Sequence, residues 1–299
     1  MFGSIVPILV DALSNAALVF LVAVGLTLVF SVLRVLNVAH GSLYSIGAYT
    51  AASLSLWIVA AGLPSWLTFA ALFLSAALVA LILGPLIERT LIRWTYSKSE
   101  PVQILVTFGL FLILEDLQRI VFGVNSFYED TPVQLLGSVE IGGVIYLNYQ
   151  LLLILLAVAL LVGLKIFIGH TRIGKLIAAV VADREISQAM GINTNRVFMI
   201  AFSLGVFLAA LGGALTVPQA GISPGLGADT MVLAFAVAAI GGLGKIEGAA
   251  VAAIIVSIAR VFAIYLAPAL DAVAPYLVML LVLLVRPYGL FGSATTRKV

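Results

Sequence analysis

Nine long apolar runs, joined by more polar connections, leave this chain no way to fold in water. They are Ile5–Leu33, Leu36–Ala61, Trp66–Ile87, Val102–Val121, Leu151–Phe167, Val197–Val217, Met231–Leu243, Ile246–Leu266 and Ala272–Val285. An α-helix needs about 20 apolar residues to cross the hydrocarbon core. Of 299 residues, 63% are hydrophobic and 9% charged, against roughly 25% charged in soluble domains. A membrane β-barrel would show short alternating segments instead of continuous runs. The expected fold is therefore all-α: one polytopic helical bundle over residues 1–299, with about eight to nine hydrophobic segments. Gly interrupts several runs, so the count reads as nine crossings, or seven with two re-entrant segments. The chain has no Cys, which removes disulfides, thiolate metal sites and cysteine nucleophiles.

Orientation follows from Lys and Arg. The connections Arg89–Lys98 and His170–Arg196 and the tail Arg286–Val299 are basic, whereas Gly123–Tyr149 carries Glu129, Asp130 and Glu140 and no base. Basic loops inside place the N-terminus outside, the C-terminus inside and the acidic loop outside. The N-terminus lacks a basic leader, contains Asp11 and has an apolar stretch longer than a secretory signal. It reads as a retained first helix.

Two segments break the pattern at membrane depth. Leu36–Tyr49 contains Asn37, His40, Gly41, Ser42, Tyr44 and Gly47; Ala239–Ala250 contains Gly241, Gly242, Gly244, Lys245, Glu247 and Gly248. Unwound backbone in a bilayer must be buried in protein or line a cavity. Both pass from an ionisable residue through Gly to a small residue, His40-Gly41-Ser42 and Glu247-Gly248-Ala249, as an internal repeat would. Lys245 is read as snorkelling at the cytoplasmic interface. Glu115 and Asp116 are expected to pair with Arg119 at i,i+4 and i,i+3.

The polar island His170–Arg196 interrupts the second half. Asp183 is placed to cap a short helix and Gly191 to end it in the left-handed region. Between them Ile186, Ala189 and Met190 share one face, with Arg184 and Glu185 in the first turn. That stripe either packs on the membrane or the protein's own helices, or inserts into a groove on a partner.

The island's Gly174, Ala178, Ala179, Asp183, Glu185, Gly191, Ile192, Asn193 and Arg196 stand in a pattern that resembles the cytoplasmic coupling loop of ABC importer permeases. GLTLVFSVLRVLNVAHGSLYSIGAY, GGLGKIEGA and RPYGLFG extend the likeness over essentially the whole chain. Together they look like a LivH-type permease for branched-chain amino acids, of the hydrophobic amino acid uptake class. The resemblance implies a multi-pass protein of the bacterial inner membrane with loop 170–196 as its coupling loop. It also implies a second permease of similar fold, two ABC ATPase subunits docking on Asp183–Gly191, and an extracytoplasmic solute-binding protein. The translocation path is expected along Asn37, His40, Gly41, Ser42, Tyr44, Gly241, Gly242 and Gly244; for His40 the alternative is a neutral imidazole that only caps a helix start. Leucine, isoleucine or valine is the implied cargo, with urea, short amides or another small solute as the alternative.

No phosphate-binding GxxxxGK[ST] loop is present, so ATP would be hydrolysed by separate subunits and the chain itself needs no cofactor. An intramembrane protease fits poorly, since no HExxH motif occurs and Gly225–Asp229 misses the GxGD spacing by one residue. An ion-coupled secondary transporter would want a mid-span carboxylate, yet Asp229 and Asp271 fall near helix ends. No basic cluster is dense enough for nucleic acid.

Overall fold

A computed structural model describes residues 2–141 and 143–292 of the chain, so Arg297 and Lys298 of the basic tail lie outside the described residues. The helices run α1 (Phe2–Leu33), α2 (His40–Ala60), α3 (Leu67–Ile87), a π-helical turn at Glu88–Ile92 and α4 (Arg93–Thr95). They continue with α5 (Glu100–Phe122), α6 (Thr131–Leu136), α7 (Asn148–His170), α8 (Arg172–Ala182) and α9 (Arg184–Ala189). The last are α10 (Thr194–Ala220), α11 (Leu226–Gly241), α12 (Ile246–Leu266) and α13 (Ala274–Val285).

Each of the nine apolar runs becomes a helix, and the protein is an all-α polytopic membrane bundle. Among the described residues six helices are long and apolar enough to cross a membrane: α1, α2, α7, α10, α12, and α3 extended through the π turn and α4. α5 is long but carries Glu115, Asp116 and Arg119. α11 and α13, at 16 and 12 residues, extend about 24 and 18 Å at 1.5 Å per residue, short of a core about 30 Å thick.

Three features depart from the sequence reading. The second run begins its helix only at His40, after a non-helical stretch that follows Arg34 at φ 56°. The acidic loop holds an antiparallel hairpin, β1 (Ser138–Ile141) with β2 (Val144–Leu147), in register Ser138↔Leu147 to Ile141↔Val144. The polar island contains α8 as well as the expected short helix.

The inner layer is α1, α2 and α10, with α3, α11 and α12 around it. Lipid chains are as apolar as Leu, so helices in a bilayer associate through close packing instead of through hydrophobic exclusion. Small residues provide it here. A β-carbon on Gly213 of α10 would fall on the Tyr44 carbonyl of α2, and one on Gly47 would fall on the Ala210 backbone. On α1, a β-carbon at Gly25 would lie 2.7 Å from the Gly205 carbonyl oxygen. Tyr149 of α7 is fully buried and donates to the Leu215 carbonyl at 2.8 Å, tying the outer layer to α10.

Candidate functional site

α8 and α9 form a bent arm between α7 and α10. Thr171 caps α8 by accepting from the Gly174 backbone N–H at 3.0 Å. Gly174 lies so close to Phe167 and Ile168 that no side chain would fit, which lets the chain fold back on α7. Ile177 and Val180 turn inward, while Ile173 and Leu176 are exposed.

After α8, Asp183 accepts from the Ile186 N–H at 2.9 Å, and the Ser187 hydroxyl donates to the Asp183 carbonyl at 2.7 Å. Gly191 ends the turn at φ +83°, where an L side chain is strained. The cap pattern read in the sequence is thus present. Ser187 is the residue of α9 that faces the bundle. Ile186 is 62% and Met190 78% exposed, and Ala189 and Glu185 are exposed as well. The apolar stripe is covered by none of the described parts of the chain.

Arg184 turns away from that stripe. Its guanidinium lies 5.0 Å from the centre of the Phe198 ring and 5.9 Å from that of Tyr96, within cation–π range. The two rings meet edge-on at 4.9 Å. The Tyr96 hydroxyl donates to Glu88 Oε1 at 3.0 Å, and Arg93 grips the same carboxylate at 2.7 and 3.2 Å. Burial first, and then the Glu88 charge, push the Tyr96 phenol well above its usual range, so it keeps the proton it donates. The Glu88 side chain is wholly buried, a placement tolerable for a carboxylate only when it is paired. The start of α9 is thereby attached to the π-helical elbow below α3.

The start of α2 is packed tightly. His40 Nε2 lies 3.2 Å from the Val22 carbonyl, and Tyr44 donates to Thr216 at 2.8 Å. Ser42 donates to the Phe111 carbonyl and to Glu115 Oε1, both at 3.3 Å. Gly41 abuts the backbone of Gly227 on α11. Asn37 is fully buried, and neither of its side-chain polar atoms has a partner among the described residues.

Gly241, Gly242 and Gly244 sit at the other end of α11. Gly241 abuts Gly248 at the start of α12, Gly242 lies against Gly292, and Gly244 lies beside Ser31. Gly241 lies fourteen positions after Gly227 along the helix, about 21 Å. The structure does not bring the two glycine breaks together; each one meets an opposite end of α11. Beside the second break, a cleft of about 450 Å³ is lined by Ser31, Lys165, Gly244, Lys245 and Glu247 among apolar residues. Lys245 is exposed at the N-cap of α12, and Glu247 pairs with Lys165 at 3.2 Å.

Sequence reasoning missed several of these groups. Asp116 pairs with Arg119 as expected, at 3.2 Å, but Glu115 points to Ser42 instead of to Arg119. The helical spacing permitted either choice. Glu88, Tyr96 and Phe198 carry no local signal, because their link to Arg184 joins segments far apart in the chain.

Comparison with known proteins agrees with this architecture. The family model described as "Branched-chain amino acid transport system / permease component" matches residues 8–284. The high-affinity branched-chain amino acid transport system permease protein BraD of Pseudomonas aeruginosa is 29% identical, covering 97% of this chain and 97% of that protein. LivH of Escherichia coli strain K12 is 29% identical over 93% of this chain and 92% of its own length. A probable branched-chain permease, LivH of Methanocaldococcus jannaschii, is 28% identical over 95% and 92%. With the family model spanning nearly the whole bundle, the chain belongs to the permease-component family of branched-chain amino acid transport systems.

Proposed function

We propose that this chain is the membrane-spanning permease of a binding-protein-dependent ABC importer that carries small, hydrophobic amino acids inward. ATP is hydrolysed by separate ABC ATPase subunits. A second permease of similar fold completes the pathway, and an extracytoplasmic receptor delivers the solute. The chain lies in a bacterial inner membrane with its N-terminus outside, its C-terminus inside, and α8–α9 in the cytoplasm. The relatives named above support the branched-chain cargo, with urea or short amides as the alternative.

The observation that carries this reading is α9 itself. A six-residue helix, capped at both ends and on the basic side, holds out Ile186 and Met190 with none of the described residues over them. Exposed apolar side chains on a rigid, capped turn are what a groove on a soluble partner recognises. ATP-driven closure of the ATPases presses on α9, and the Arg184 attachment passes the movement to α3 and α10. Asn37, His40, Gly41, Ser42 and Tyr44 border the path in its occluded form. Gly241, Gly242 and Gly244 border its cytoplasmic end.

Crosslinking tests the docking directly, because the chain has no cysteine of its own. Met190→Cys should crosslink to a cysteine in the ATPase groove, while a cysteine at the outward Ile145 should not. Equal crosslinking at both positions, or at neither, refutes the docking.

A further inference from the structure

Glu115, which its spacing assigned to an ordinary surface pair, is carried by the fold into the side of the bundle. It lies seven residues before the end of α5 at Phe122, about 10 Å along the helix, and is half-buried. Its sequence neighbour Asp116 takes Arg119. Among the described residues no basic side chain lies within salt-bridge distance of Glu115.

The polar groups arranged around it are oxygens. Ser42 Oγ is 3.3 Å from Glu115 Oε1. The point where Gly227 would carry a β-carbon is 2.6 Å from that same Oε1, 2.9 Å from the Gly41 carbonyl oxygen and 2.9 Å from Ser45 Oγ. Oxygens from α2 and α5 therefore gather on the bare face of a glycine in the first turn of α11. A side chain at Gly41 or Gly227 would occupy this junction.

A carboxylate at membrane depth is unfavourable without a compensating cation, and such groups mark substrate or ion pathways. An ammonium group has three N–H donors and no acceptor. It complements a carboxylate flanked by hydroxyl and carbonyl oxygens, whereas a neutral amide would leave the charge uncompensated. We propose that Glu115, with Ser42, Ser45 and the Gly41 carbonyl, forms the subsite that receives the α-ammonium of the transported amino acid. The inference rests on the amino acid reading above and adds to it a residue that selects for the amine.

The test is uptake of radiolabelled L-leucine by the complete importer in vesicles. Glu115→Gln should raise KM for leucine at least about tenfold, which is about 1.4 kcal/mol, in a complex that still assembles; Glu115→Asp should recover most of the loss. Glu115→Cys, in a chain otherwise without cysteine, separates charge from shape. An anionic methanethiosulfonate reagent should restore uptake, and a cationic one of similar size should not. Unchanged leucine kinetics in Glu115→Gln, or equal rescue by both reagents, overturns this subsite and leaves the importer reading standing. If the wild-type complex instead moves, with ATP, only solutes that lack an amine, the amino acid reading fails and the subsite fails with it.

Discussion

The inner bundle and the α8–α9 arm use glycine and caps for opposite ends. In α1, α2 and α10, glycines bring backbones into contact and the surrounding side chains are buried. In the arm, Thr171, Asp183 and Gly191 shape short helices that the chain leaves largely exposed. Close packing makes the first region intolerant of added volume. Local capping makes the second rigid without covering it, which is what a docking element requires.

The largest effect should come from forcing volume into the bundle. Gly213→Leu would drive a side chain into the Tyr44 backbone, and the expected result is loss of folded protein from the membrane fraction. A Gly163→Leu control, where nothing lies nearby on α7, should accumulate normally. If both variants accumulate equally, the contrast between packed and open helix faces collapses.

Next comes Met190→Asp, which places a charge in the proposed ATPase groove. Uptake should fall at least about tenfold, roughly 1.4 kcal/mol of lost association, while the isolated permease keeps the wild-type melting temperature. A drop in that melting temperature would show that α9 packs on its own chain after all.

The attachment of the arm to the bundle should give an intermediate result. Tyr96→Phe keeps the ring beneath Arg184 but removes the hydrogen bond to Glu88; Tyr96→Leu removes both. Transport per ATP hydrolysed should fall more in Tyr96→Leu than in Tyr96→Phe. Equal ratios in the two variants would exclude the ring as the connecting element.

The smallest effect is local. Asp183→Ala removes one capping bond, worth about 1 kcal/mol, and should speed amide exchange at Ile186 and Ser187 without altering exchange in α10. Exchange that changes in both helices would mean that the arm and the bundle move as one unit.

Much of this was legible in the chain because it depends on local chemistry. Apolar runs located the nine bundle helices, since a helix satisfies its own backbone in lipid. Asp183 and Gly191 announced α9, since caps act over three or four residues. α8 has no such plain signal, because Arg172 and Lys175 give a short amphipathic helix the composition of a polar loop.

Partner choice was not legible. Glu115 could reach Arg119 or Ser42, and only the packing of α5 on α2 decided between them. The two glycine breaks looked like halves of one path, yet α11 holds them at its opposite ends.

By itself the sequence determined that the chain is a helical membrane protein, which side of it is basic, and that a capped turn interrupts its second half. These are sums over neighbouring residues: hydropathy, charge and hydrogen bonds within a turn. Only the tertiary structure decided that the other described residues leave Ile186 and Met190 uncovered, that Arg184 rests on Phe198 and Tyr96, and that Glu115 faces oxygens. Those outcomes depend on which helix surfaces meet, and that is settled by steric fit between residues far apart in the chain.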